Sequence, residues 1–420
     1  MQLTDLYNPI IGGVQSYVAA LSKGLVGLGH TAVVVTIQPG DLPEEETIDG
    51  VRVIRIRSWS QHLTRFYSDT SHPFHPPAPD PGAVAALRRL IRREQPAVVH
   101  SHSWLNHSFF PLYHAHSGPG HVVTLHDYGT ACPRTTLMRP GHAGQCSGPG
   151  IARCLSCAPE QYGLLKGSMI TLAMRADRCL QHRVDRYLAV SAAAADGCRG
   201  SLPAGAEITT HPPMVPDDLL QVALETPRPD FLPAEDGFLL FVGALGLHKG
   251  IDVLLAARRR MRHQVALVLL GTPQHDTPSV DDPSITVAHN VPHPQVMASW
   301  MRASIAVVPS VCNETLGLVA VEAAIAGCPV VASDVGGLGE VVEHGSNGLL
   351  VPPGDPDALA AALDDILDDP ELRKLMGEAS RARTRQYGVR NVVPGIVEVY
   401  EDALRGRLKK SGAEWRSGVE

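Results

Sequence analysis

Two glutamates, Glu314 and Glu322, stand with seven residues between them in the run Asn313-Glu314-Thr315-Leu316-Gly317-Leu318-Val319-Ala320-Val321-Glu322. Ile305–Pro309 ahead of them reads as a short buried strand, Leu318–Ala326 as a helix closed by Gly327, and Pro329–Ala332 as the next strand. That order places Glu314 in a loop at the carboxyl end of a strand, the edge where open parallel sheets bind ligands. The backbone N–H groups of Leu316, Gly317 and Leu318 at the helix start suit a phosphate, since a helix N-terminus offers unpaired donors and a positive dipole end. Glu322, one turn into the helix, is placed to accept hydrogen bonds from a sugar hydroxyl beside that phosphate. By themselves, two carboxylates at this spacing also fit a solvated helix face.

Other residues suit the same chemistry. Gly12-Gly13 follows a short opening strand and precedes a helix, so backbone there can approach a diphosphate. Gly243 ends a strand whose following loop carries Lys249, and Thr124-Leu125-His126-Asp127 ends another. Cys132, Cys146, Cys154 and Cys157 are spaced C-x13-C-x7-C-x2-C in a Gly- and Pro-rich stretch without sheet pattern. Four thiols there admit a structural zinc site, free thiols or a disulfide.

The elements that must hold these residues alternate. Strands are expected at Ala32–Ile37, Val51–Ile56, Ala97–His100, Val122–Leu125 and Arg186–Val190, with helices at Ser16–Leu28 and Ala83–Arg93. The Pro-rich, acidic run 225–237 reads as a linker, after which strands resume at Phe238–Val242, Val265–Leu270 and Ile285–Ala288. Such alternation implies an α/β chain with mostly parallel sheets. The expected division is 1–224 with a Cys-rich insert at about 131–158, linker 225–237, a second domain 238–388, and a final helix and tail 389–420. The irregular stretch Gln61–Pro81 reads as a long loop, either shaping a pocket or lying on the surface. Arg88, Arg89, Arg92 and Arg93 read as a solvated helix face.

At 420 residues the chain is long enough for two domains. A hydrophobic fraction of 44% and a net charge of −7 describe a globular protein with no electrostatic case for nucleic acid. No apolar run is long enough for stable membrane insertion, and the first residues lack a signal-peptide pattern, so a cytoplasmic location is expected.

The run 313–322 resembles the E-x7-E motif of the retaining, GT-B-fold glycosyltransferases of family 4. Residues 241–250 resemble that family's G-R-L-x-x-x-K-G motif, with Lys249 retained and Ala244 in place of the arginine. Segments 332–337 and 347–351 match its turn elements. The resemblance implies two Rossmann-like domains facing a cleft, with the C-terminal helix crossing back to the first. It implies a nucleotide-sugar donor, UDP- or GDP-linked, an unidentified acceptor and no cofactor for catalysis. Glu314 would then contact the transferred sugar, Glu322 the ribose, His126 a sugar hydroxyl, and Lys249 the leaving diphosphate. Gly12, Gly13, Gly243, Leu316, Gly317 and Leu318 would complete the donor site. Two alternatives stand beside it. A non-catalytic nucleotide-sugar-binding protein would explain Ala244. A dinucleotide-dependent oxidoreductase needs G-x-G-x-x-G after the first strand, which Gly12-Gly13-Val14-Gln15-Ser16 does not supply.

Overall fold

The computed structural model describes residues 1–10, 12–62, 75–115, 117–139, 146–212 and 214–411. Most of the stretch 61–81 therefore lies outside the described residues. The chain divides into two compact units, Met1–Met214 with Val389–Glu420, and Val215–Gly388.

The first unit is built on β1 (Gln2–Leu3), β2 (Val33–Ile37), β3 (Glu45–Ile48), β4 (Val51–Ile56), β5 (Val98–Ser101), β6 (Gly120–Leu125), β7 (Arg186–Ala189) and β8 (Ile208–Thr210). They lie in the order β3-β4-β2-β1-β5-β6-β7-β8, parallel except for the β3–β4 pair. Val33–Ile37 is buried at every position, the mark of a strand covered on both faces by helices. One covering layer joins Val18, Leu21 and Leu25 of the helix Gly13–Gly27 to Val392, Val393, Ile396 and Val399 of the helix Val389–Ser411. Gly24 lets these two helices touch. A Cβ there would lie 2.5 Å from Val389 Cγ1 and 2.8 Å from Val393 Cγ2, closer than packed atoms approach.

The second unit carries β9 (Leu239–Val242), β10 (Leu267–Leu270), β11 (Ile285–Ala288), β12 (Ile305–Val308), β13 (Val330–Ser333) and β14 (Gly348–Val351). Their order is β11-β10-β9-β12-β13-β14, with every pair parallel. Residues 225–237, read from the sequence as a linker, lie inside this unit. The helix Leu219–Glu225 packs on the helices His293–Trp300 and Leu318–Ala326, and Leu232 is buried. The chain passes between units at Met214/Val215 and Gly388/Val389 instead. Those two points are neighbours within the second unit, where Val215 N–H donates to the Tyr387 carbonyl at 3.0 Å.

Strand order fixes where ligands can enter each unit. In the second sheet the chain runs outward from β9 to β11, then restarts at β12 on the other side. In the first, β1 begins one run and β5 the opposite one. Connections leave in opposite directions at β9/β12 and at β1/β5, which opens a crevice at the carboxyl ends of those strands.

Candidate active site

At the β9/β12 crevice the two strand-end loops are tied together by backbone. Val311 and Cys312 N–H both donate to the His248 carbonyl, at 3.2 and 3.0 Å. Gly250 has φ +72°, and a Cβ there would stand 1.9 Å from the Pro309 carbonyl oxygen, so only glycine permits this approach. The result brings Lys249 Nζ to 2.5 Å from Glu314 Oε1. Ser310 Oγ donates to the same oxygen at 2.6 Å, and Cys312 Sγ lies 3.7 Å from it.

Burial alone would lower the Lys249 pKa, but the Glu314 carboxylate outweighs it and holds the ammonium above its ordinary value. Burial likewise pushes Glu314 up, and Lys249 with the Ser310 and Cys312 hydrogen bonds brings it below the usual range. Both groups are thus charged at neutral pH. His248 is different: partial desolvation and the Lys249 charge lower its pKa, so it supplies no second cation in place of the arginine absent at Ala244.

The Glu314 loop is braced from beneath by a second turn. Gly337 N–H donates to the Glu314 carbonyl at 2.8 Å, and a Cβ on Gly336 (φ +55°) would lie 1.9 Å from that same oxygen. The helix Leu318–Ala326 then starts from Gly317 (φ +80°) with no side-chain cap. Its first turn therefore presents backbone donors at the position expected for a phosphate. Glu322 sits on this helix with Oε1 2.8 Å from His293 Nε2, and that hydrogen bond raises the His293 pKa. Gly243 lies just past β9 with φ +150°. His293 was not legible as a partner of Glu322, because it comes from the start of a separate helix 29 positions away.

In the first unit, the β1/β5 crevice holds a cavity of about 660 Å³ whose lining includes Asp5, Gln15, His102, Trp104, Asp127 and Lys166. Gly12 precedes the helix Gly13–Gly27, and Gly13 also lines the cavity. Ser103 Oγ and Leu105 N–H donate to Asp5 Oδ1, both at 2.7 Å, and His75 N–H to Oδ2 at 3.2 Å. Burial nevertheless raises its pKa to about 6. His126 follows β6, its Nε2 2.9 Å from His102 Nδ1, with the Tyr17 ring edge-on at 4.7 Å between centroids. Burial lowers the His126 pKa to about 3, so this imidazole is neutral.

The cysteine expectation needs correction. Cys132, Cys146, Cys154 and Cys157 are free, and among the described residues no group of three His, Cys, Asp or Glu side chains is placed to hold a metal ion. Cys154 and Cys157 lie on a helix, Ile151–Tyr162, where Cys157 Sγ is 3.8 Å from Arg134 Nη1. Cys146 Sγ is 3.6 Å from the Gly148 carbonyl. Burial raises the Cys132 pKa, which favours the thiol over the thiolate that zinc requires. The geometry gives the zinc reading no support.

Comparison with known proteins identifies the family and the fold. Residues 11–219 match the family described as Glycosyltransferase Family 4, and residues 225–383 match Glycosyl transferases group 1. A glycogen synthase of Mycobacterium tuberculosis is 30% identical over 424 residues, covering 95% of this chain and 94% of its own length. A D-inositol 3-phosphate glycosyltransferase of Xylanimonas cellulosilytica is 28% identical, covering 94% and 93%. Among solved structures, sucrose-phosphate synthase from Thermosynechococcus elongatus superposes with a TM-score of 0.71 at 20% identity, over 96% of this chain and 98% of that one. Anabaena HepE, solved in complex with UDP and glucose, gives 0.64 at 17% identity, over 95% and 98%. The two parallel-sheet units share the GT-B fold of these structures. The chain belongs to the family 4, group 1 glycosyltransferases.

Proposed function

We propose that this protein is a retaining hexosyltransferase that moves a sugar from a UDP- or GDP-linked donor to an acceptor hydroxyl. The observation that carries the reading is the charged Lys249–Glu314 pair at the β9/β12 crevice, beside the uncapped start of the helix Leu318–Ala326. Anabaena HepE, which shares the fold, was solved with UDP and with UDP-glucose, which favours a nucleotide-sugar donor.

Departure of the diphosphate is the difficult step in such a transfer. Fixed donors aimed at its developing charge lower the barrier without reorganising during the reaction. Lys249 and the backbone amides of Leu316, Gly317 and Leu318 at the helix start are assigned that role, with the backbone at Gly12, Gly13 and Gly243 completing the donor site. Glu314 is assigned to the transferred sugar, where its negative charge stabilises positive charge growing at the anomeric carbon. Glu322, oriented by His293, holds ribose hydroxyls. His126 receives a hydroxyl of the sugar. The reading uses front-face displacement, in which the leaving phosphate takes the acceptor's proton. No metal or other cofactor is called on for catalysis.

The two glutamates should separate kinetically. A contact made only in the transition state lowers kcat when removed, while a uniform binding contact raises KM. Glu314→Gln should mainly lower kcat. Glu322→Gln should mainly raise the donor KM, by the loss of about 1.5–3 kcal/mol of charge-assisted hydrogen bonding. Steady-state kinetics with varied donor reads both, and two variants that change kcat alone, or change nothing, would remove these assignments.

A further inference from the structure

Three imidazoles in the first unit, His100, His102 and His126, belong to one connected hydrogen-bond chain. His102 Nε2 is 2.8 Å from Gln2 Oε1, and His102 Nδ1 is 2.9 Å from His126 Nε2. On the other side of the same amide, Gln2 Nε2 donates to the Tyr400 hydroxyl at 3.3 Å. That hydroxyl is 2.7 Å from His100 Nδ1, and His100 Nε2 is 2.6 Å from Thr124 Oγ1. His100 and His102 are almost fully buried, which keeps both rings neutral.

The proton positions follow in sequence. An amide oxygen can only accept, so His102 carries its hydrogen on Nε2. A neutral imidazole has a single N–H, so His102 Nδ1 is bare and can only accept. The hydrogen in the 2.9 Å contact therefore sits on His126 Nε2. His126, neutral as well, is left with a bare Nδ1.

The two distances at Gln2 agree with this polarity. The 2.8 Å contact is ordinary for N–H···O, whereas 3.3 Å is long for a hydroxyl donating to an oxygen, the bond a reversed amide would need. The other branch is consistent: amide N–H to the Tyr400 oxygen, Tyr400 O–H to His100 Nδ1, and His100 Nε2–H to Thr124.

We infer that Gln2 and His102 are positioning residues that fix His126 as its Nε2–H tautomer and so make its free Nδ1 an obligate hydrogen-bond acceptor. The consequence is chemical selection. A bare, neutral imidazole nitrogen takes a hydroxyl or another donor, and gives nothing to a phosphate, a carboxylate or a carbonyl oxygen. The inference deepens the proposed transferase reading, on which the identity of that hydroxyl as a sugar's rests, but the tautomer itself does not depend on turnover.

The test is long-range ¹H–¹⁵N correlation on the full chain with ¹⁵N-labelled histidine at pH 7, His126 being assigned by its disappearance in His126→Gln. The wild-type spectrum should show His126 Nδ1 in the unprotonated, pyridine-like range and Nε2 in the protonated, pyrrole-like range. Gln2→Leu removes the oxygen that sets the polarity and should move both His126 nitrogens toward averaged positions. A wild-type His126 protonated at Nδ1, or averaged, overturns the inference, as does a folded Gln2→Leu protein with an unchanged His126 signature. Because the wild-type spectrum stands alone, the inference stays testable if that variant fails to fold. Failure of donor turnover leaves these spectra untouched, so the two ideas fail separately.

Discussion

Lys249→Ala should reduce kcat by about 10²–10³, the size of effect seen when one preorganised electrostatic contact to a developing charge is lost. This chain makes that residue unusually exposed to test. Ala244 stands where the family motif has an arginine, and His248 is uncharged at neutral pH, so neither shares the load. The substitution also strands Glu314, whose side chain is only 14% exposed and would keep Ser310 and Cys312 as its remaining partners on Oε1. Removing one partner of a largely buried pair is strongly destabilising, so the melting temperature must be measured beside the rate. Lys249→Arg keeps the charge with a different shape and should recover part of the activity. Lys249→Ala retaining more than a third of wild-type turnover at saturating donor would exclude Lys249 from a role on the leaving diphosphate.

Mild acid should destabilise this protein above the range where ordinary carboxylates titrate. His75, His121 and His126 are held neutral by burial, with pKa values lowered to about 4, about 4 and about 3, and His100 and His102 are lowered as well. Each ring is hydrogen-bonded in its neutral form; His121, for example, bridges the Arg183 carbonyl at 2.9 Å and Ser101 Oγ at 3.1 Å. The unfolded histidine titrates near 6.5, above every one of these folded values. The stabilisation is therefore complete above that pH and is lost as pH falls from about 6.5 toward the folded pKa values, at about 1.4 kcal/mol per unit for each ring. Asp5 opposes this. Its pKa is raised to about 6, so its contribution is present in acid and is lost as pH rises through that value. The three rings His75, His121 and His126, less the part Asp5 offsets, should lower stability by on the order of 4 kcal/mol between pH 7 and pH 5, with His100 and His102 acting in the same direction. Urea denaturation across that window measures it. A midpoint that stays flat down to pH 5 would mean these histidines are protonated in the folded protein.

What the sequence made legible was local. The apolar strand runs, the Gly317–Leu318 helix start and the position of Glu314 past a strand all depend on residues within ten positions of one another, where periodicity and turn chemistry act. Strand order, and with it the two crevices, came only from long-range pairing. The helices Ile151–Tyr162 and Leu164–Asp177 give no continuous helical signal, because Pro159 lies inside the first and Gly163 separates the two. Leu164, Leu165, Met169 and Leu172 are also exposed, so the apolar stripe does not mark the buried face. The run 225–237 has a linker's composition, yet buries Leu232. The cysteine spacing invited a metal because C-x2-C is a familiar ligand pair, but the same spacing is one helical turn. The histidine chain could not be read at all. It joins Gln2 to Tyr400 across 398 positions, and His102 carries no local signal that it would meet His126.

The central claim is sugar transfer from a nucleotide diphosphate with retained configuration. The most direct measurement mixes the protein with α-linked UDP- and GDP-hexoses and a panel of polyol and sugar acceptors. It then follows free nucleoside diphosphate together with the anomeric coupling of the new linkage by ¹H NMR. The account predicts diphosphate release matched by an α-linked product. A β-linked product would contradict retention, and donors that bind without releasing diphosphate to any acceptor or to water would contradict transfer itself.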